Sequence, residues 1–329
     1  MRVPALPTVS RPSGSRRACR GLTLVELMVS LVLGLVITLA IMTAYLSSSR
    51  AAQVADAVAR MHDDATAVLA LLRTQIRMAG NNPERPLRAA AAARNPVYAG
   101  PGVTKFAIRG CDGVFDNLAA AAKIDDLTCP SPGNAPDSLA ITYEADPFNT
   151  AAIDGGAVPL DCAGFPLDAL IAAINVYDPV SNIPAPANFQ FYFSESRFYV
   201  ATGSDGVPRL MCRGNGASSE PAIVAENVED FQIAYGLLSP TAAPGSSAVA
   251  GYLPAAAMAT QAELLALSEP DRWSKVASVR ICLLLRSPAE VVHDADSAKY
   301  VDCSGALVAA PDLRLRRAFR ATVAVRGRT

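Results

Sequence analysis

Arg16-Arg17-Ala18-Cys19-Arg20-Gly21 runs directly into Leu22-Thr23-Leu24-Val25-Glu26-Leu27, and the chain then stays predominantly apolar to Leu46. Glu26 is the single charged side chain between Leu22 and Leu46. As an α-helix rising about 1.5 Å per residue, this run is long enough to cross the roughly 30 Å hydrocarbon core of a bilayer. Arg2, Arg11, Arg16, Arg17 and Arg20 precede it, and no acid does. Such a basic flank is retained in the cytoplasm, so a single span is expected, with the C-terminal bulk on the far side.

Three ordinary readings of the segment fall short. A secretory signal has a shorter apolar core followed by a small-residue cleavage site, whereas Ser47-Ser48-Ser49-Arg50 follows here. A lipoprotein signal needs its cysteine after the apolar stretch, and Cys19 lies before it. A plain signal anchor explains the leader and the span but not Glu26. An acid at the membrane centre costs on the order of 2.5–3.5 kcal/mol; the bland alternative is that Glu26 reaches back to the headgroups.

Gly21-Leu22-Thr23-Leu24-Val25-Glu26-Leu27 resembles the processing site of type IV prepilins and type II secretion pseudopilins. That resemblance implies cleavage between Gly21 and Leu22 by a membrane aspartyl prepilin peptidase, and N-methylation of Leu22. It also implies that Glu26 pairs with the N-terminal amine of a neighbouring subunit, setting the register of assembly. The family usually carries phenylalanine where this chain has Leu22. The implied partners are the peptidase, other minor and major pilins, and the inner-membrane assembly platform. No cofactor is implied. The implied organisation is a cleaved leader at 1–21, a membrane and filament-core half-helix at 22–46, an amphipathic half-helix at 47–80, and a periplasmic β-rich domain at 81–329.

The helix is expected to continue well past the membrane. No proline intervenes between Pro12 and Pro83. Val54, Val58, Met61, Ala65, Val68, Leu72, Ile76 and Ala79 recur at spacings of three and four, the period of one helical face. Gly80-Asn81-Asn82-Pro83 reads as its stop. One apolar stripe predicts packing against a globular domain. Major pilins usually carry a proline in the membrane half, so its absence hints at a minor subunit.

The 329 residues are 51% hydrophobic, with a mean hydropathy of +0.25. Without the five leader arginines, the 29 basic residues become 24 against 30 acids, a net of −6. A mildly acidic exported domain is not an electrostatic nucleic-acid binder. The arginine-rich stretch from Arg314 to Arg328 is expected as the solvated face of a strand. Of seven cysteines, Cys19 falls in the leader. The other six form an even set in an exported domain, which reads as disulfides, and six cysteines allow 15 pairings. Pairing of sequence neighbours is favoured: Cys111–Cys129, Cys162–Cys212 and Cys282–Cys303. Each would constrain the unfolded chain by about 3–4 kcal/mol. No metal-type cysteine or histidine spacing occurs.

The rest reads as strands after a loop at 83–102. Ser138–Glu144 alternates with Leu139, Ile141 and Tyr143 on one face. Phe189–Phe193 and Arg197–Ala201 flank Ser194-Glu195-Ser196 and suggest a hairpin. Val228–Tyr235, Val276–Leu285 and Ala318–Val325 read as further strands. Ala255–Leu267 reads as a short helix and Pro240–Gly251 as a loop. The fold class is therefore α+β and pilin-like: a long N-terminal helix packed on a mainly antiparallel sheet domain with long, disulfide-stapled loops.

A second resemblance lies near the C-terminus. Val224-Ala225-Glu226-Asn227-Val228-Glu229-Asp230-Phe231 is similar to a strand of PilW-type minor pilins. Trp273–Ser287 and Arg316–Arg326 are similar to the strands that follow it there. Residues from Pro83 to about Gly216 match nothing. His62 and His293 lack partners for a triad or a metal box, and no nucleophile elbow or phosphate loop occurs. Asp112, Asp116, Asp294 and Asp296 could offer oxygens to calcium, but neither turn has the full loop pattern. A non-enzymatic filament subunit is thus expected, a minor pilin that primes or caps pilus assembly. A J-type pseudopilin is the near alternative, and an anchored periplasmic enzyme or binding protein the distant one.

Overall fold

A computed structural model describes residues 23–81, 106–121, 123–130, 133, 135–153, 158–177, 180–218, 220–238 and 248–325. The cleavage-site pair Gly21 and Leu22, and the whole of the loop expected at 83–102, lie outside these residues. A 55-residue helix, α1 (Leu24–Met78), opens the described chain. The chain divides into two compact units, at residues 1–52 and 53–329.

In the first unit the helix is apolar and its large side chains from Leu24 to Leu46 are exposed. It is the one described helix long and apolar enough to cross a membrane. The second unit takes up the amphipathic half of the helix. Ala57, Met61, Ala65, Val68, Leu69, Leu72 and Ile76 are buried there. Val54 and Val58, expected on the stripe, are only half-buried, and Ala57 and Leu69 are buried beside it. Gly80 ends the helix in the left-handed region, with φ at 71°. Glycine takes that conformation without a Cβ clash. The terminus is then fastened to a strand: Gly80 N–H donates to the Thr142 carbonyl at 2.8 Å, and Glu144 N–H donates to the Asn81 carbonyl at 2.9 Å.

The strands follow in order. They are β1 (Ile108–Cys111), β2 (Ser138–Ala145), the short pair β3 (Ala152–Ile153) and β4 (Val158–Pro159), β5 (Ala169–Tyr177), β6 (Pro184–Thr202), β7 (Pro208–Arg213) and β8 (Ala222–Glu226). After them come β9 (Val228–Leu238), β10 (Val249–Leu253), the helix α2 (Glu269–Ser274), β11 (Val276–Glu290), β12 (Tyr300–Val301), β13 (Leu307–Val308) and β14 (Arg314–Ala324). One sheet has the order β1-β2-β6-β7-β8, with β5 also on β6; the other has the order β10-β9-β11-β14. All pairings are antiparallel. Asn227, at φ 59°, joins the two sheets where β8 gives way to β9. Asparagine is among the few non-glycine residues that adopt this conformation readily. A single core joins α1 to both sheets through Leu72, Ile76, Ile141, Phe198, Phe231 and Leu283.

Several expectations need correction. Ser194-Glu195-Ser196 is not a turn: β6 runs straight through it and pairs with Tyr143, Thr142 and Ile141 of β2. The reason is that Glu195 is satisfied inside, accepting from Arg197 Nε at 2.6 Å and from Ile124 N–H at 2.8 Å. The hairpin partner of β6 is β5. Strand β2 is buried along its whole length, because α1 and the loops cover both faces, so the expected alternation is absent. Ala255–Leu267 forms two 3₁₀ turns rather than a helix, and the α-helical turn comes later, at α2. Ser268 caps α2, and Pro270 stands in its first turn, where its missing N–H costs nothing. Trp273 and Ser274 therefore belong to that helix, not to the strand that follows. Val249–Gly251, read as loop, belongs to β10.

Three disulfides join sequence neighbours. Cys111–Cys129 fastens a loop to the end of β1, Cys162–Cys212 ties the segment after β4 to β7, and Cys282–Cys303 anchors residues after β11 back onto that strand.

Candidate functional site

The N-terminal candidate begins at Thr23. Its N–H donates to Glu26 Oε2 at 2.9 Å, its hydroxyl bonds the same oxygen at 3.0 Å, and Glu26 N–H donates back to Thr23 Oγ1 at 3.2 Å. This is a reciprocal capping box, which satisfies donors that the first turn leaves without intrahelical partners. Glu26 also lies at the positive end of the helix dipole. Sequence reasoning passed over this local role, although Thr-x-x-Glu ahead of an apolar run is its signature. Glu26 thus folds back onto Thr23, where the described chain enters the helix.

The PilW-like stretches are scattered in sequence and meet in space. Arg316 of β14 is buried, its side chain only 2% exposed. Its Nε and Nη2 donate to Glu229 at 2.7 and 2.9 Å, and Nη1 donates to Asp312 at 2.6 Å. Arg286 of β11 approaches the same Glu229 at 3.4 Å, and its backbone N–H donates to the Asn227 carbonyl at 2.9 Å. Ser287 Oγ accepts from Leu315 N–H at 3.0 Å. Asn227 and Glu229 therefore connect the β8–β9 junction to β11 and β14. The hydrogen bond from Arg316 holds the Asp312 carboxyl below its usual range. Arg316 corrects the expected solvated arginine face; Arg317 and Arg320, by contrast, are exposed. The fork geometry of arginine suits two carboxylates at once. The arrangement is chemically structural: every described charge in it is engaged.

The other candidates resolve into local structure. Asp112 accepts from Ala255 and Ala256 N–H at 2.8 and 3.0 Å, fixing the start of a 3₁₀ turn. Asp294 accepts from Ser297, and Asp296 pairs with Lys299. Asp116 lies in a turn beside Asn117, whose side chain ties that turn to residues 126 and 128. Among the described residues no group of three or more acids, histidines or cysteines is arranged to hold a metal ion. His62 and His293 are exposed, the former 6.0 Å from the Phe319 ring. A cavity of about 310 Å³ lies between β1 and α2, with Arg109, Cys111, Met258 and Trp273 in its walls. Arg109 is occupied by Glu269 at 2.9 Å and by the Ile124 carbonyl at 2.9 Å.

A long N-terminal helix, apolar in its first half and packed in its second on a disulfide-bonded antiparallel domain, defines a pilin-like α+β protein. The family model of type IV pilus-assembly protein W, PilW, matches residues 197–327, and that of the prokaryotic N-terminal methylation motif matches residues 16–42. Together they are consistent with a PilW-type minor pilin, a membrane-anchored pilin related to the type IV pilus. They point to a structural, non-enzymatic subunit that works with other pilins and the pilus assembly machinery. No curated protein and no solved structure matches the chain. The PilW match begins inside β6, upstream of the Val224–Phe231 stretch that carries the resemblance in the sequence, and so takes in residues 197–216, which the sequence reading left unmatched.

Proposed function

We propose that this chain is a minor pilin that primes or caps type IV pilus assembly after prepilin peptidase removes residues 1–21. The supporting observation is the coincidence of two matches in one chain: an N-methylation segment containing Glu26 and a PilW-type match over residues 197–327. The apolar run from Leu22 to Leu46 serves first as the inner-membrane anchor, with the N-terminus cytoplasmic and the β domain periplasmic. It then becomes filament core. In the anchor, the Glu26 carboxylate stabilises its own first turn. In the filament, it pairs with the methylated Leu22 amine of a neighbour, which keeps both groups ionised in a low-dielectric setting.

Deletion of the gene, complemented with wild-type, Gly21→Ala or Glu26→Ala chains, tests this reading. Deletion is expected to abolish sheared surface pili while type II secretion continues. Gly21→Ala should fail to restore pili because the leader is retained. Glu26→Ala should be processed yet poorly incorporated. Lost secretion with intact piliation would instead make the chain a J-type pseudopilin, and normal incorporation of Glu26→Ala would end the register role.

A further inference from the structure

The two sheets are joined at Asp137. This residue immediately precedes β2 of the six-stranded sheet, yet it bonds to β9 of the other. Its backbone N–H donates to the Phe231 carbonyl at 2.7 Å, and its Oδ2 accepts from Ile233 N–H at 2.7 Å. It stands beside β9 just beyond the stretch, Tyr235 to Leu238, that β10 covers. The residue is only 4% exposed.

The groups that face it are of one kind. Asp112, on the loop after β1, and Asp230, on β9, are the charges that act on it among the described residues. The Tyr235 hydroxyl, also on β9, faces Asp112 and Asp137, is fully buried, and has no hydrogen-bond partner among the described residues. A buried carboxylate beside two others is disfavoured as an anion. The Ile233 N–H and, more weakly, the Gly113 N–H act in its favour. A proton on Asp137 removes the repulsion while Oδ2 can go on accepting from Ile233.

We propose that Asp137 is a proton-operated latch between the two sheets: protonated, it holds the start of β2 against β9, and ionised, it loosens that joint. Burial above all, then Asp112 and Asp230, pushes its carboxyl up to about 7, against the opposing hydrogen bonds from the Ile233 and Gly113 N–H groups. The sign follows from linkage. An unfolded aspartate releases its proton near 3.8, whereas the folded domain holds it until about 7. The stability this group provides is therefore complete below 3.8, declines as pH rises, and is gone above about 7. The latch ties a residue outside the PilW-type region to a strand within it.

Amide exchange of the full-length chain in detergent micelles, corrected for intrinsic chemistry, tests the latch at Ile233 and Asp137. Wild-type protection relative to Asp137→Asn should fall by about tenfold per pH unit from roughly pH 4 to 7, whereas Asp137→Asn should show no such slope. Equal slopes in the two chains would overturn the proposal, as would weaker protection in Asp137→Asn at every pH. Asp112→Asn, which removes one repelling charge, gives an independent check should Asp137→Asn not fold. It should shift the wild-type transition to lower pH, and an unmoved transition would likewise overturn the latch.

Discussion

Replacing Glu229 by alanine strips Arg316 of two of its three carboxylate hydrogen bonds, those at 2.7 and 2.9 Å, and leaves the one to Asp312 at 2.6 Å. Hydrogen bonds to charged groups contribute about 1.5–3 kcal/mol each, and removing one partner of a buried pair costs about 3–5 kcal/mol. Two features moderate the loss here. Asp312 keeps the guanidinium partly paired, and the Glu229 side chain is 20% exposed, so water can enter. A destabilisation of about 3 kcal/mol follows, more than a hundredfold in the folding equilibrium. Trp273 is the sole tryptophan, buried and edge-on to Tyr235 at 4.9 Å. Its fluorescence during urea unfolding of the micelle-bound chain reports the transition. Glu229→Gln keeps the shape without the charge and should lose about half as much. Arg316→Met in the alanine background should cost less than the sum of the single changes, because the pair is coupled. A loss below about 0.5 kcal/mol in Glu229→Ala, the level of an ordinary surface substitution, would refute the reasoning.

Gly110→Ala drives a Cβ into the Tyr235 hydroxyl, so overpacking should cost about 1–3 kcal/mol and shift Trp273 emission. Cys282→Ala with Cys303→Ala opens the tether on β11 and should cost about 2–5 kcal/mol, with limited proteolysis then cutting between residues 291 and 313 first. Thr23→Ala breaks the capping box and should weaken the first turn by about 1 kcal/mol, visible as faster amide exchange at residues 24–27 in micelles.

The elements legible in the sequence were those whose pattern depends on a single neighbouring surface. The amphipathic half of α1 faces one core, and its three–four spacing and Gly80 stop appear in the structure within a few residues. Strands β9 and β14 alternate in part because one face meets that core, whereas β11, central between them, sends Val279, Ile281, Leu283 and Leu285 into the core and is buried on its other face too. Their mutual pairing is not legible, since Glu229 and Arg316 lie far apart in sequence and meet only in the folded chain. The misreadings come from burial that the sequence cannot display. Ser194-Glu195-Ser196 looks like a turn because it is polar, but Arg197 and the Ile124 N–H satisfy its carboxylate inside a strand. Arg316 looks solvated in a row of arginines until Glu229 and Asp312 surround it. α2 is short enough that its cap, Ser268, and its Pro270 carry more signal than any periodicity, and they were passed over. The capping role of Glu26 is legible in Thr23-x-x-Glu26 ahead of an apolar run, a local signature that stands beside any intermolecular pairing of the same carboxylate.

The central claim is that the leader is removed and the chain becomes a methylated pilin subunit. N-terminal peptide mass spectrometry of the chain extracted from membranes tests it most directly. The account predicts a mature chain beginning at N-methylated Leu22, with Gly21 and everything before it absent. A chain that still carries the leader, or one that begins at an unmethylated residue elsewhere, would contradict it.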